Sequence, residues 1–142
     1  MTSSSIALIS IHPEHVAKIL SGHKRIEFRR AWAARPVTRI VIYSTAPEQR
    51  LVAVATVRQT VRDTPAVLWT YALPHGPGLT REHLLKYLTG KKTGVALHLA
   101  AIRRFKKPLT LEKLLPRSAR PPQSFRYLTG AEETKLGRIM GL

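Results

Sequence analysis

The chain has 142 residues, 44% of them hydrophobic, which suffices for a buried core and is too apolar for disorder throughout. It contains no cysteine, which excludes a disulfide framework and thiolate metal sites and fits a reducing cytoplasm. Twenty-four Lys and Arg face eight Asp and Glu, a net charge of +16 that repels itself unless a polyanion offsets it. Nucleic acid is the polyanion such a surface suits, because neutralised phosphates release their condensed counterions. The apolar runs fall short of a membrane span, and no basic amphipathic helix marks a membrane surface. Met1 to Ser5 lack the features of a signal peptide, so a cytoplasmic protein is expected.

Ile6 to Ile11 is a β-prone run fit for a buried strand. His12-Pro13-Glu14 opens a helix, with Pro at its first position and an acid in its first turn. Val16, Ile19 and Leu20 line one face of that helix, and Gly22 stops it. Arg25 to Arg30 alternates and reads as a half-buried strand, Ile26 and Phe28 inward, Arg25, Glu27 and Arg29 outward. Arg39 to Ser44 and Leu51 to Gln59 are two further strands. The second sets Leu51, Ala53, Ala55 and Val57 against Val52, Val54 and Thr56.

Thr64-Pro65 caps a short helix over Ala66 to Tyr71, and Leu73 to Gly78 is a breaker loop. Thr80 caps another helix through Leu88, closed by Gly90. Gly94 to Arg103 is a long strand, and Thr110 to Leu115 makes one or two helical turns. Pro116 to Pro122 is an extended basic loop. Thr129 and Glu132 have capping-box spacing ahead of a last helix, Lys135 to Met140. No repeat or internal boundary divides the chain, so residues 1–142 read as one domain. Strands two to four leave no room for crossover helices. The expected fold is therefore α+β, a small, mostly antiparallel β-barrel with peripheral helices.

The chemistry concentrates after the first helix. Gly22 permits a tight turn, and Glu27 sits between Arg25 and Arg29 on a strand face with Lys24 just before. Such surroundings hold a carboxylate ionised, able to accept from a base edge or ribose while the cations take phosphate. An ordinary surface ion-pair ladder would show the same pattern.

The run Ile11 to Arg30 resembles the ASCH domain family of the PUA-like superfamily, whose marker is Gly-x-Lys-x-x-Glu-x-Arg after the first helix. Gly22, Lys24, Glu27 and Arg29 fill all four positions. Ile40-Val41-Ile42-Tyr43, Leu51-Val52-Ala53, Trp69 and Tyr87 to Lys92 follow in the matching order. The tail Pro121 to Leu128 is similar to the ending of one ASCH-like branch labelled as a transcriptional regulator. The resemblance covers almost the whole chain. It implies a PUA-like barrel with a cleft between barrel and helix where the motif gathers, and an RNA-binding role in translation or regulation.

It also raises catalysis. One ASCH-like branch hydrolyses the acetyl amide of acetylcytidine with the motif lysine, a threonine three residues on, and a later glutamate. Lys24 matches the lysine, but Glu27 holds the threonine's place and no later acid matches securely. Other relatives are described as ribonucleases, for which Lys24 and Glu27 are the catalytic candidates.

The stretch Arg103 to Arg126 is dense in Lys and Arg, with Glu112 its one acid. Phe105, Phe125 and Tyr127 within and beside it are able to stack on unpaired bases or to close the barrel. If Gln123 to Arg126 returns beside the motif strand, it brings Ser124 and Arg126 near Lys24. The candidate ligand-binding set is thus Gly22, Lys24, Arg25, Glu27, Arg29, Arg30, Ser124, Arg126 and Tyr127. His12, His15 and His23 match no zinc spacing, and no phosphate-loop or dinucleotide motif appears, so no metal or cofactor is expected. The expected partner is RNA, single-stranded or carrying a modified nucleotide. DNA remains an alternative, although no helix-turn-helix pattern supports it. Oligomeric state is left open.

Overall fold

The computed structural model describes residues 5–141; Met1 to Ser4 of the signal-peptide reading lie outside them. Six strands form one sheet in the order β2-β5-β4-β3-β1-β6. They are β1 (Ile6–Ile11), β2 (Ile26–Arg29), β3 (Arg39–Ser44), β4 (Arg50–Asp63), β5 (Gly94–Leu109) and β6 (Phe125–Tyr127). Helices α1 (Pro13–Leu20), α2 (Pro65–Ala72), α3 (Arg81–Tyr87) and α4 (Gly130–Met140) pack around it. The α+β reading holds, with a refinement: the sheet is a mixed, curled half-barrel. β1 runs parallel to β3, and the other neighbouring pairs run antiparallel.

The starts of the helices follow their sequences. Pro13 sits in the first turn of α1, and the Thr64 and Thr80 side chains accept from Val67 N and His83 N. Thr129 and Glu132 form the expected capping box, and the helix they open begins at Gly130 rather than Lys135.

Alternation along β1 divides the core. Ala7, Ile9 and Ile11 join Val16 and Ile19 of α1 on one face of the sheet. Ile6 and Leu8 join Leu128 and Leu136 on the other, beneath α4. A third cluster packs Ile26 and Phe28 of β2 against Leu68, Leu84 and Leu88 from the α2–α3 region.

Three expectations are corrected. β4 does not alternate as a plain strand. Register shifts at Leu51/Ala53, Val54/Thr56 and Val57/Gln59 put Val52 on the same face as Ala53, Ala55 and Val57. β5 continues past Arg103 to Leu109, because β4 stays paired with it as far as Leu51↔Leu109. β2 is not half-buried: all four of its residues are buried, Glu27 and Arg29 included.

The sheet's two edges are β2 and β6. Side chains bridge them where strand pairing does not. Trp32, just past β2, lies 4.9 Å from Phe125 of β6 between ring centroids. The Arg29 guanidinium reaches Ser124 at the start of β6. The candidate site lies on this seam.

Candidate functional site

A cleft of about 720 Å³ opens between α1, the end of β1 and the motif strand β2. Lys24, Glu27 and Arg29 line it, together with Ser10, His12, His15, Lys18, His83 and Tyr87. The acids along its lining are Glu14 and Glu27.

Lys24 is held in three ways. Its Nζ donates to the Pro77 carbonyl at 2.9 Å, lies 3.7 Å from Glu27 Oε1, and stands 5.4 Å from the Phe28 ring centroid. Burial lowers its pKa from the usual lysine value, with Glu27 opposing the shift. The loop that covers it carries two glycines. A Cβ on Gly78 would stand 2.6 Å from Lys24 Cγ, and one on Gly76 would stand 2.8 Å from the His23 carbonyl. Both glycines have positive φ, so conformation and space together demand glycine. The Gly76 carbonyl accepts from Arg25 N, and Lys18 Nζ donates to the Gly78 carbonyl, which fastens the loop to the motif turn and to α1.

Glu27 bridges two cations. Its Oε2 accepts from Arg29 Nη1 at 3.1 Å while Oε1 faces Lys24. Arg29 Nη1 also donates to the Ser10 carbonyl at 3.3 Å, and Nη2 donates to Ser124 Oγ at 2.9 Å. The sequence pattern sets Arg25 beside Glu27; the structure gives that place to Lys24, and Arg25 is exposed. The reason is local. The chain enters β2 only at Ile26, so the alternation that pairs Glu27 with Arg29 does not extend back to Arg25.

The remaining expected residues separate. Ser124 reaches the site through Arg29, although β6 pairs with β1 and not with the motif strand. Gly22 makes the turn at φ +86, with nothing within 4 Å of where a Cβ would stand, so the backbone conformation and not crowding is what favours glycine there. Arg30 donates to the carbonyls of Tyr87 and Thr89 and ties β2 to the end of α3. Arg126 does not approach Lys24: it forks onto Glu132 at 2.9 and 3.2 Å and pins α4. Tyr127 is covered by Arg35, whose guanidinium carbon lies 3.7 Å from its ring centroid.

The histidines gain weight. His12, His15 and His83 all line the cleft, brought there by the start of α1 and the first turn of α3. Burial, then Lys24, lowers the pKa of His15, and its Nδ1 is buried without a hydrogen-bond partner among the described residues. The i,i+3 spacing of His12 and His15 is visible in the sequence; His83 becomes their neighbour only through the packing of α3. Among the described residues no group of three His, Asp or Glu is placed to hold a metal ion. No helix among them is long and apolar enough to cross a membrane.

The half-barrel, the edge seam and the buried Lys-Glu-Arg cleft define a PUA-like α+β domain. No family model matches the chain. A curated relative from Zymomonas mobilis subsp. mobilis, named an ASCH domain-containing ribonuclease, is 29% identical over 92% of this chain and 88% of its own. The crystal structure of ASCH from Zymomonas mobilis superposes with a TM-score of 0.83 at 28% identity, covering 94% of each chain. A serine-to-alanine mutant of that protein gives 0.85 at 27% identity, covering 98% of this chain and 99% of its own. Over nearly its whole length, and with the four motif positions filled, the chain is thus similar in sequence and fold to ASCH domain proteins.

Proposed function

We propose that the chain binds single-stranded RNA and holds one nucleotide of it in the cleft between α1 and β2. The observation that carries this reading is the buried Lys24–Glu27–Arg29 network opening onto a cleft rimmed by Lys18 and three histidines. Lys24 and Arg29 favour phosphate, and Glu27 accepts from a base or ribose. The net charge of +16 and the ribonuclease name of the curated relative support RNA as the ligand class. A regulatory or translation-related setting is what the family resemblance suggests.

The test is equilibrium binding of short RNAs across a salt series. Affinity falls steeply with salt. Glu27→Gln reduces discrimination between bases more than it reduces affinity, while Arg29→Ala weakens every RNA. Equal effects of both changes on every RNA overturn this division, and a flat salt response overturns the phosphate contacts.

A second reading, that bound RNA is also cut, is favoured by the relative's name and by the three cleft histidines. An imidazole that stays neutral at pH 7 can take a ribose 2′-hydroxyl proton, and a neighbouring cation can stabilise the phosphorane charge. Incubating end-labelled RNA with the wild type and with Lys24→Ala or His15→Ala separates the readings. Turnover lost in both variants supports cutting; binding without turnover leaves a binding module. The absence of a threonine at position 27 weighs against acetylcytidine hydrolysis, and release of acetate from acetylcytidine would reverse that judgement.

A further inference from the structure

Outside the cleft, a second hollow of about 350 Å³ lies between the loop after β2 and the far part of β4. β3 stops pairing with β4 at Thr56, so beyond that point β4 has β5 as its single sheet neighbour. The loop from Trp32 to Val37 runs along the side that β3 has left. Arg58 and Arg62 line the hollow from β4, with Thr60 between them at the two-residue period that keeps a strand's side chains on one face. Arg35 lines it from the loop.

Two of these guanidiniums are pre-set. Arg62 Nη2 donates to the Ala33 carbonyl, and Arg35 is stacked on the Tyr127 ring. Arg58 is exposed and enters no ion pair among the described residues. Among those residues no acid lines the hollow. Three like charges facing one concavity repel one another, and nothing in the described chain offsets them there. Such an arrangement suits a phosphate diester, which brings the missing charge and accepts from forked donors.

The hollow and the cleft are neighbours along the chain. Trp32 lines the hollow three residues past Arg29 of the cleft, and its ring packs on Phe125 of β6. We infer that this arginine-lined hollow holds the backbone phosphate of the RNA strand that flanks the nucleotide in the cleft. The inference rests on the RNA reading above and adds a path across the sheet edge. It makes the footprint longer than one nucleotide.

The experiment compares labelled oligouridylates, a trinucleotide and a dodecanucleotide, on the wild type, Arg58→Ala and Arg58→Ala/Arg62→Ala. Lys106→Ala/Lys107→Ala, two exposed cations at the other end of β5, serves as the charge-matched control. Near-UV circular dichroism checks each fold, and Arg58 makes no side-chain hydrogen bond or ion pair among the described residues. The dodecamer is expected to lose roughly tenfold in affinity in the double variant, with a salt slope shallower by about one for each phosphate no longer neutralised. The trinucleotide is expected to bind unchanged. An undiminished dodecamer affinity overturns the hollow, as does an equal loss in the control. Failure of the wild type to bind any RNA overturns the underlying reading instead.

Discussion

The Lys24 ammonium lies 3.7 Å from Glu27 Oε1, with Lys24 2% and Glu27 5% exposed. Glu27 also accepts from Arg29, so one carboxylate offsets two cations in a place water hardly enters. Removing it leaves both cations buried and uncompensated. Glu27→Ala is expected to cost about 3 kcal/mol of stability, in keeping with breaking a buried pair from one side. Urea unfolding of the purified variant measures this. A change below about 1 kcal/mol would mean that solvent or rearrangement compensates the cations.

Two glycines of positive φ allow a contrast. Gly22→Ala meets open space and costs only what the left-handed backbone demands, about 1–2 kcal/mol. Gly78→Ala carries the same backbone cost and also drives a methyl into the Lys24 stem. It is expected to lower RNA affinity as well as stability, whereas Gly22→Ala lowers stability alone. Matched unfolding and RNA titrations of the two variants check the difference.

Glu132 makes stability depend on acid. Burial opposes its ionisation, but the Arg126 fork and the Thr129 amide outweigh burial and hold its carboxyl below the usual value. A carboxyl with a depressed folded pKa adds stability above its unfolded value near 4.5, and that contribution is lost as pH falls through the folded value. Glu132→Gln is therefore expected to lose about 1–3 kcal/mol at pH 7 and less below about pH 4. Arg126→Ala is expected to destabilise similarly while sparing cleft binding. Thermal unfolding against pH reads both.

His15 gives the same sign in a higher pH window. Burial and Lys24 lower its pKa below 6.5, opposed by Glu27 and Glu14, with Lys18 adding to the lowering. The unfolded chain takes up this proton first, so stability falls as pH drops from about 6.5 through the folded value. Protonation also adds a positive charge to the cleft. RNA affinity is expected to rise over the same interval, and His15→Gln to remove that component. A pH titration of affinity in both proteins measures it.

Much of this is legible in the sequence because it is local. Pro13 and Glu14 mark the start of α1, Thr129 and Glu132 the start of α4, and β-branched residues mark β3. The filled motif locates Lys24, Glu27 and Arg29. What escapes depends on distant packing. β6 is three residues long and becomes a strand through Ala7↔Tyr127 and its neighbours. Arg126 reads as one more cation of a basic tail until α4 docks and presents Glu132. His83 enters the cleft, and Pro77 caps Lys24, only because the α2–α3 region folds over β2. The strand expected to end at Arg103 runs on to Leu109, because β4 pairs again with β5 at Leu51↔Leu109.

The claim that RNA sits against the buried lysine is tested most directly by Lys24→Met, which keeps the aliphatic stem and removes the charge. Fluorescence anisotropy with labelled single-stranded RNA, on protein whose near-UV spectrum matches the wild type, is the measurement. A loss of affinity of about tenfold or more, with a shallower salt slope, is the result expected. Unchanged affinity in a correctly folded Lys24→Met protein would contradict it and move the RNA elsewhere on the surface.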